Sequence, residues 1–274
     1  VEDDSFAGFV WYAPEDADIY DEQVWYDCNP AMQAGFRSYD EMKKVATRAK
    51  ELGGAKLAEF RNLYLNQRID STNPFISKDA WMACNKPVND DAFNEYPVYG
   101  GMDLSKRGDL TALVLVCQDD DNVIHVKTYA WTPKELLAQH EASDKAPYKR
   151  WVQEEYLEAV PGKSIAYDWL AVRLGQIVDE HYNLITINFD RWRITELEYE
   201  LDKEGIVLPL TEFGQGYKSF SGALDDLEHA ISTLELAHGS HPVLTWNISN
   251  AVVDQDPAGN RKINKEKSFN RVDC

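Results

Sequence analysis

Apolar positions along the chain repeat with two different periods, and the change between them marks how it is organised. Before about residue 90 the helical period dominates. SYDEMKKVATRAKELGG predicts a helix from Tyr39, stopped at Gly53 and Gly54, and AKLAEFRNLYLNQRI places Leu57, Phe60 and Tyr64 on one helical face. One strand-like run, Phe6 to Tyr12, comes earlier and leads into an acidic, aromatic-punctuated connection. FISKDAWMACNKPVNDDAFNEYP reads as a short helix and a loop rich in Asn, Asp and Pro. A boundary is expected near residues 88–97, dividing a mostly helical linker region, 1–92, from a second domain, 93–274.

From Val98 the pattern turns to strands. Val98–Asp103, Leu110–Gln118 and Val123–Ala130 read as three successive strands, the last two joined by the polar turn DDDN. Helical stretches are expected around Pro133–Glu141 and Tyr148–Glu158, and Leu170, Leu174, Ile177, Val178 and His181 mark an amphipathic helix. LITINFD, Leu184 to Asp190, is a strand, Ile194, Leu197 and Leu201 stripe the helix after it, and GIVLPL is a further strand. Tyr217, Phe220, Leu224, Leu227, Ile231 and Leu234 recur every three or four residues, a long amphipathic helix. Three hairpin-linked strands followed by strand–helix units predict an α/β fold, a mixed central sheet flanked by helices.

Composition narrows the class. A chain of 274 residues with 44% hydrophobic and 12% aromatic content buries a full core. No apolar run approaches the ~20 residues that span a bilayer, and no signal peptide is expected at the start. Cys28, Cys84, Cys117 and Cys274 are scattered singly, which suits a reducing compartment and argues against a cysteine zinc site. A formal net charge of −19 weighs against a nucleic-acid partner. It does not exclude one, because a cleft that holds divalent cations needs carboxylates and gains positive charge from its ions.

Two of the strands end in aspartate. In YPVYGGMD the face that carries Asp103 also carries Gly101, which leaves room beside the carboxylate. In LITINFD, Ile185, Ile187 and Phe189 point one way and Thr186, Asn188 and Asp190 the other. Ligands of open α/β sheets sit outside the carboxyl ends of strands, so Asp103 and Asp190 converge there if their strands are neighbours. Two close carboxylates repel, and a divalent cation removes the conflict; hard oxygen donors favour magnesium or manganese. The competing reading is ordinary capping, Asp190 at the following helix and Asp103 at its turn.

GMDLSKRGDLTALVLV, NFDRWRITELEYELDKEGI, EFGQGYKSF, HGSHPVLTWNISNAVV and AGNRKINKEKSFNRVD occur in this order. Together they resemble the carboxyl-terminal nuclease domain of the large terminase subunit of tailed bacteriophages, and FRNLYLNQRIDSTNPFISKDAW resembles the segment before it. The resemblance implies a ribonuclease H-like fold and an endonuclease that cuts concatemeric double-stranded viral DNA during packaging. It maps an acidic triad onto Asp103, Asp190 and Asp273. It also implies two magnesium or manganese ions, with Asp103 bridging both and Asp190 and Asp273 completing one each. Such ions lie ~3.5–4 Å apart and drive in-line displacement at phosphorus. Portal and small terminase subunit are the implied protein partners, and the host cytoplasm during phage assembly the implied location, with no membrane.

Asp109 fits as a residue supporting the ligands, or equally as a turn aspartate, and His238 as a contact to DNA or a reaction-site water. The basic tail supplies Arg261, Lys262, Lys265, Lys267 and Arg271 as candidate phosphate contacts, unless it is simply a solvated terminus. Two departures from the family pattern stand out. No GxxxxGK[ST] loop occurs, so the opening region is expected to be the end of an ATPase region. The family continues with an apolar helix beyond the third acid, whereas the sequence stops at Cys274. HGSH lacks the HExxH spacing of a zinc helix, and Pro242 is expected to end any helix there. No GxSxG supports a serine hydrolase. The rival readings are a packaging or portal-binding module that does not cut, and an actin-like or sugar-kinase-like ATPase. The latter needs a second glycine-rich hairpin where this chain has RWR.

Overall fold

The computed structural model describes residues 8–14, 16–52, 54–67, 75–104, 109–180, 183–191, 194–265, 268 and 270–274. Phe6, Gly53, His181 and Lys267, named above, lie outside them. The chain forms two compact units, Val1–Thr72 and Asn73–Cys274.

The first unit is helical: α1 (Glu22–Cys28), α2 (Pro30–Gln33), α3 (Tyr39–Leu52) and α4 (Gly54–Tyr64). Trp25, Met42, Phe60 and Leu65 form its core, and the Asn29 amide donates to the Trp25 and Tyr64 carbonyls, tying α1 to the end of α4. The strand expected over Phe6–Tyr12 does not form in its described part. Phe9 and Val10 are 75% and 79% exposed, and a strand-forming run without a partner strand stays irregular.

In the second unit, α5 (Lys78–Ala83) and α6 (Ala92–Glu95) precede β1 (Val98–Asp103), β2 (Thr111–Gln118) and β3 (Ile124–Pro133). There follow α7 (Leu137–Asp144), α8 (Tyr148–Gln153), β4 (Glu158–Val160), α9 (Tyr167–Glu180), β5 (Leu184–Phe189) and α10 (Ile194–Glu204). The chain finishes with β6 (Leu210–Glu212), α11 (Tyr217–Ser232), β7 (Leu236–Ala237), α12 (Pro242–Asn250), β8 (Val253–Gln255) and β9 (Arg261–Ile263). Strand order in the main sheet is β4-β3-β2-β1-β5-β6, with β7 added beside β3. β1, β2 and β3 are antiparallel, whereas β5 runs parallel to β1 and β6 parallel to β5. This is the expected mixed sheet with helices on both faces. On one face α9 and α10 pack Leu170, Leu174, Leu197 and Leu201 against Leu113, Leu115, Ile187 and Phe189. On the other, Trp81, Ile231 and Leu244 cover Val126 and its neighbours. No helix among the described residues is long and apolar enough to cross a membrane.

The units divide ahead of the change in apolar rhythm, because Ile76, Trp81 and Cys84 need the apolar surface of β3, α11 and α12. Three expectations about elements of the second unit are corrected. The helix expected over Tyr148–Glu158 ends at Gln153: Glu155 turns left-handed (φ 63°) and Glu158 opens β4 beside Trp131 of β3. The strand expected over GIVLPL forms only from Leu210, where pairing with Ile187 begins; Pro209 has no N–H to give and offers its carbonyl to the Ile187 N–H. Pro242 starts a helix instead of ending one. It sits in the first turn of α12, where no N–H is needed, and the His241 ring accepts the Leu244 N–H as the cap.

Candidate active site

The parallel register Met102↔Phe189 places the ends of β1 and β5 side by side, so Asp103 and Asp190 leave adjacent strands at the same sheet edge. β1 reaches this position because Gly100 fits between neighbours: a Cβ there would stand 3.1 Å from both Ile187 Cγ1 and Leu115 Cδ2. Gly101 is the opposite case. Among the described residues nothing lies within 4 Å of where its Cβ would be, on the strand face that also carries Asp103.

Asp273 arrives from the far end of the chain, and Asn247 of α12 places it. The Asn247 Oδ1 accepts the N–H groups of Asp273 (2.8 Å) and Cys274 (3.4 Å), while its Nδ2 donates to the Val243 carbonyl (2.9 Å). Asn247 is 1% exposed, so this amide is a buried clamp. Asn250, one helical turn on, donates to the Arg271 carbonyl at 3.2 Å.

Between the acids lies a cation of the protein's own. The Lys265 ammonium donates to Asp103 Oδ2 and, at 2.9 Å, to Asp273 Oδ1. Burial pushes the Asp103 carboxyl above its ordinary pKa; Lys265 opposes this, while Asp273 and Asp190 add to it. For Lys265, burial works against the charge, but Asp273 and Asp103 outweigh it and hold the ammonium firmly protonated. Among the described residues no three His, Cys, Asp or Glu side chains are gathered around one ion position. The three acids therefore share a neighbourhood without forming a finished cage.

The other expected site residues are placed as follows. Asp109 pairs with Arg271, whose Nε also donates to Asp144 at 2.6 Å. Asp144 accepts in addition from Tyr148 (2.7 Å) and Ser143 (2.6 Å). His238 is 1% exposed and stacks flat on Trp81, with ring centroids 4.0 Å apart. Its Nε2 bonds the Trp81 carbonyl and its Nδ1 accepts the Ser240 N–H, so both nitrogens are used inside the protein. Burial lowers its pKa, consistent with a neutral ring. Arg261 pairs with Asp225 and Glu228 of α11, and the Lys262 ammonium lies 4.8 Å over the Tyr217 ring. Four of the candidate phosphate contacts thus have intramolecular partners.

Three contributors were not singled out as such in the sequence: Asn247 as the clamp, Lys265 as the bridge, and Asp144 as the anchor of Arg271. No local signal identifies any of them. Each acts on a residue brought near only by the fold.

A profile of the family "Terminase large subunit, endonuclease domain" matches residues 1–274. The terminase large subunit of Enterobacteria phage HK97 is 41% identical over 265 residues, covering 96% of this chain and 51% of the relative. Protein YmfN of Escherichia coli (strain K12) is 23% identical over 285 residues, covering 100% of this chain and 61% of that protein. The crystal structure of the HK97 bacteriophage large terminase superposes with a TM-score of 0.69 at 40% identity, covering 96% of this chain and 54% of that one. The chain thus spans about half the length of the curated HK97 relative it matches.

Proposed function

We propose, proceeding from the fact that this chain belongs to the terminase large subunit endonuclease domain family, that its site hydrolyses phosphodiester bonds of double-stranded DNA with divalent metal ions. The concatemeric viral genome is the substrate, and portal and small terminase subunit are the partners in packaging, in the host cytoplasm. The observation that carries the reading is the convergence of Asp103, Asp190 and Asp273 at one sheet edge, with one cation already held between two of them.

The donor set suits hard ions, since the three candidate ligands are carboxylates. A pair of magnesium or manganese ions bound there would supply an activated water and stabilise the leaving oxygen. Asp103, whose carboxyl feels the charges of both Asp273 and Asp190, would be shared by the two ions, and Asp190 and Asp273 would each help to hold one. Asn247 holds Asp273 in place through the backbone, and Arg271 anchors the same segment. The open space over Gly101 admits the phosphate beside Asp103.

A second reading, a packaging module that binds without cutting, is favoured by one observation: the cation between Asp103 and Asp273 is the protein's own lysine. Conversion of supercoiled plasmid to nicked and linear forms separates the two. It is run with manganese, with magnesium and with EDTA, beside Asp190→Asn. Cutting that requires metal and disappears in the variant is the expected result; no cutting under any condition leaves the binding module.

A further inference from the structure

We infer that Lys265 is a built-in competitor of the metal: its ammonium holds Asp103 and Asp273 together, and a divalent ion binds these carboxylates only by displacing it. The inference rests on the reading of Asp103 and Asp273 as metal ligands.

Charge is the first argument. Two carboxylates brought this close repel, and the fold must supply a counter-charge, take up a proton or let the segment swing away. Lys265 supplies the counter-charge, with one ammonium donating to an oxygen of each acid. A divalent ion contacts carboxylate oxygens at about 2.0–2.6 Å, closer than an ammonium does, and needs the same lone pairs. Both cations cannot face the same oxygen pair at once.

Placement is the second argument. Lys265 follows β9, whose backbone pairs with β8 and whose Arg261 is locked to α11. The main chain at its root is thus fixed. The side chain itself is 57% exposed, and its four-carbon stem can swing outward without unpacking a core. Swung out, the ammonium lies at the rim of the open space beside Asp103, where a phosphate would enter. The cage is also unfinished: Asp103 and Asp273 are drawn around a lysine, and among the described residues no three acids are set for an ion.

The test is manganese binding to the whole chain without DNA. Loss of the free-ion paramagnetic resonance signal is followed for wild type, Lys265→Met, Lys265→Gln, Lys203→Met and Asp103→Asn. Lys203 pairs with Glu200 on α10 and controls for net charge alone. Removing the competitor is expected to tighten manganese binding about tenfold or more in both Lys265 variants, the scale of one lost charge-assisted contact. Lys203→Met is expected to stay within about twofold, the effect of a screened surface charge. The melting temperature without metal should fall in the Lys265 variants and recover more than wild type when manganese is added. Unchanged or weaker binding in both Lys265 variants, with binding lost in Asp103→Asn, overturns the inference and leaves the metal site standing. Binding that survives Asp103→Asn overturns the metal site itself, and the inference with it.

Discussion

At the scale of single residues, the proposed site depends on side chains outside the candidate ligand set. Asn247→Ala removes the acceptor for two N–H groups and leaves them unpaired in a buried place. That is expected to cost about 1–3 kcal/mol in urea unfolding. Because Asp273 loses its clamp, plasmid cutting should fall by about a hundredfold, the scale of a small misplacement of a reacting group. A lower stability with full cutting would show that Asn247 serves the fold alone. Arg271→Ala strands Asp144, whose side chain is 11% exposed, and should cost about 3 kcal/mol at pH 7. Burial pushes the Asp144 carboxyl up, but hydrogen bonds from Arg271, Ser143 and Tyr148 outweigh it and hold the pKa below the ordinary value. A depressed folded pKa stabilises above the unfolded value, about 3.9, and that contribution disappears as pH falls through the folded value. The stability gap between wild type and Arg271→Ala should therefore be wide at pH 7 and narrow below about pH 4. A gap that holds constant into acid would rule out this ion pair as its source.

At the scale of elements, the strands β1 and β5 set the distance between the first two acids. Their contact is tight at Gly100 and open at Gly101, although the two glycines are adjacent. Gly100→Val forces a branched side chain against Ile187 and Leu115 and should destabilise by about 1–3 kcal/mol, as overpacking does. Gly101→Ala meets nothing within 4 Å and should keep its urea midpoint, within about 0.5 kcal/mol of wild type. Equal effects of the two changes would contradict this arrangement of β1. The helices α9 and α10 act at the same scale: their buried stripes, Leu170, Leu174, Leu197 and Leu201, hold the face of the sheet that the acids leave behind.

At the scale of the whole molecule, charge bears on the proposed DNA substrate. The net charge is −19, and Arg261, Lys265 and Arg271, which would neutralise phosphates, are paired with acids of the same chain. DNA binding should therefore release few counterions. The slope of log affinity against log salt, read by fluorescence anisotropy, is expected to be no steeper than about −2. A slope steeper than about −5 would mean that the tail gives up its internal partners on binding.

The sequence by itself determined most of the elements and pointed to two of the candidate acids. Period-two runs ending at Asp103 and Phe189, and stripes such as Leu170–Leu174 and Ile194–Leu197–Leu201, are local consequences of which faces must be buried, so they can be read from neighbours. Asp273 came into view through family resemblance, since its spacing carries no signal. Only the tertiary structure decided that β1 and β5 are neighbours, that Asn247 receives Asp273, and that Lys265 bridges to Asp103 across 162 residues of chain. It also placed His238, a candidate contact to DNA or a reaction-site water, in a buried position stacked on Trp81, and turned Pro242 from a helix end into a helix start. The physical reason is common to all of these. Burial period is set by adjacent residues, whereas hydrogen bonds and charges are satisfied by whichever groups packing brings together, at any separation in sequence.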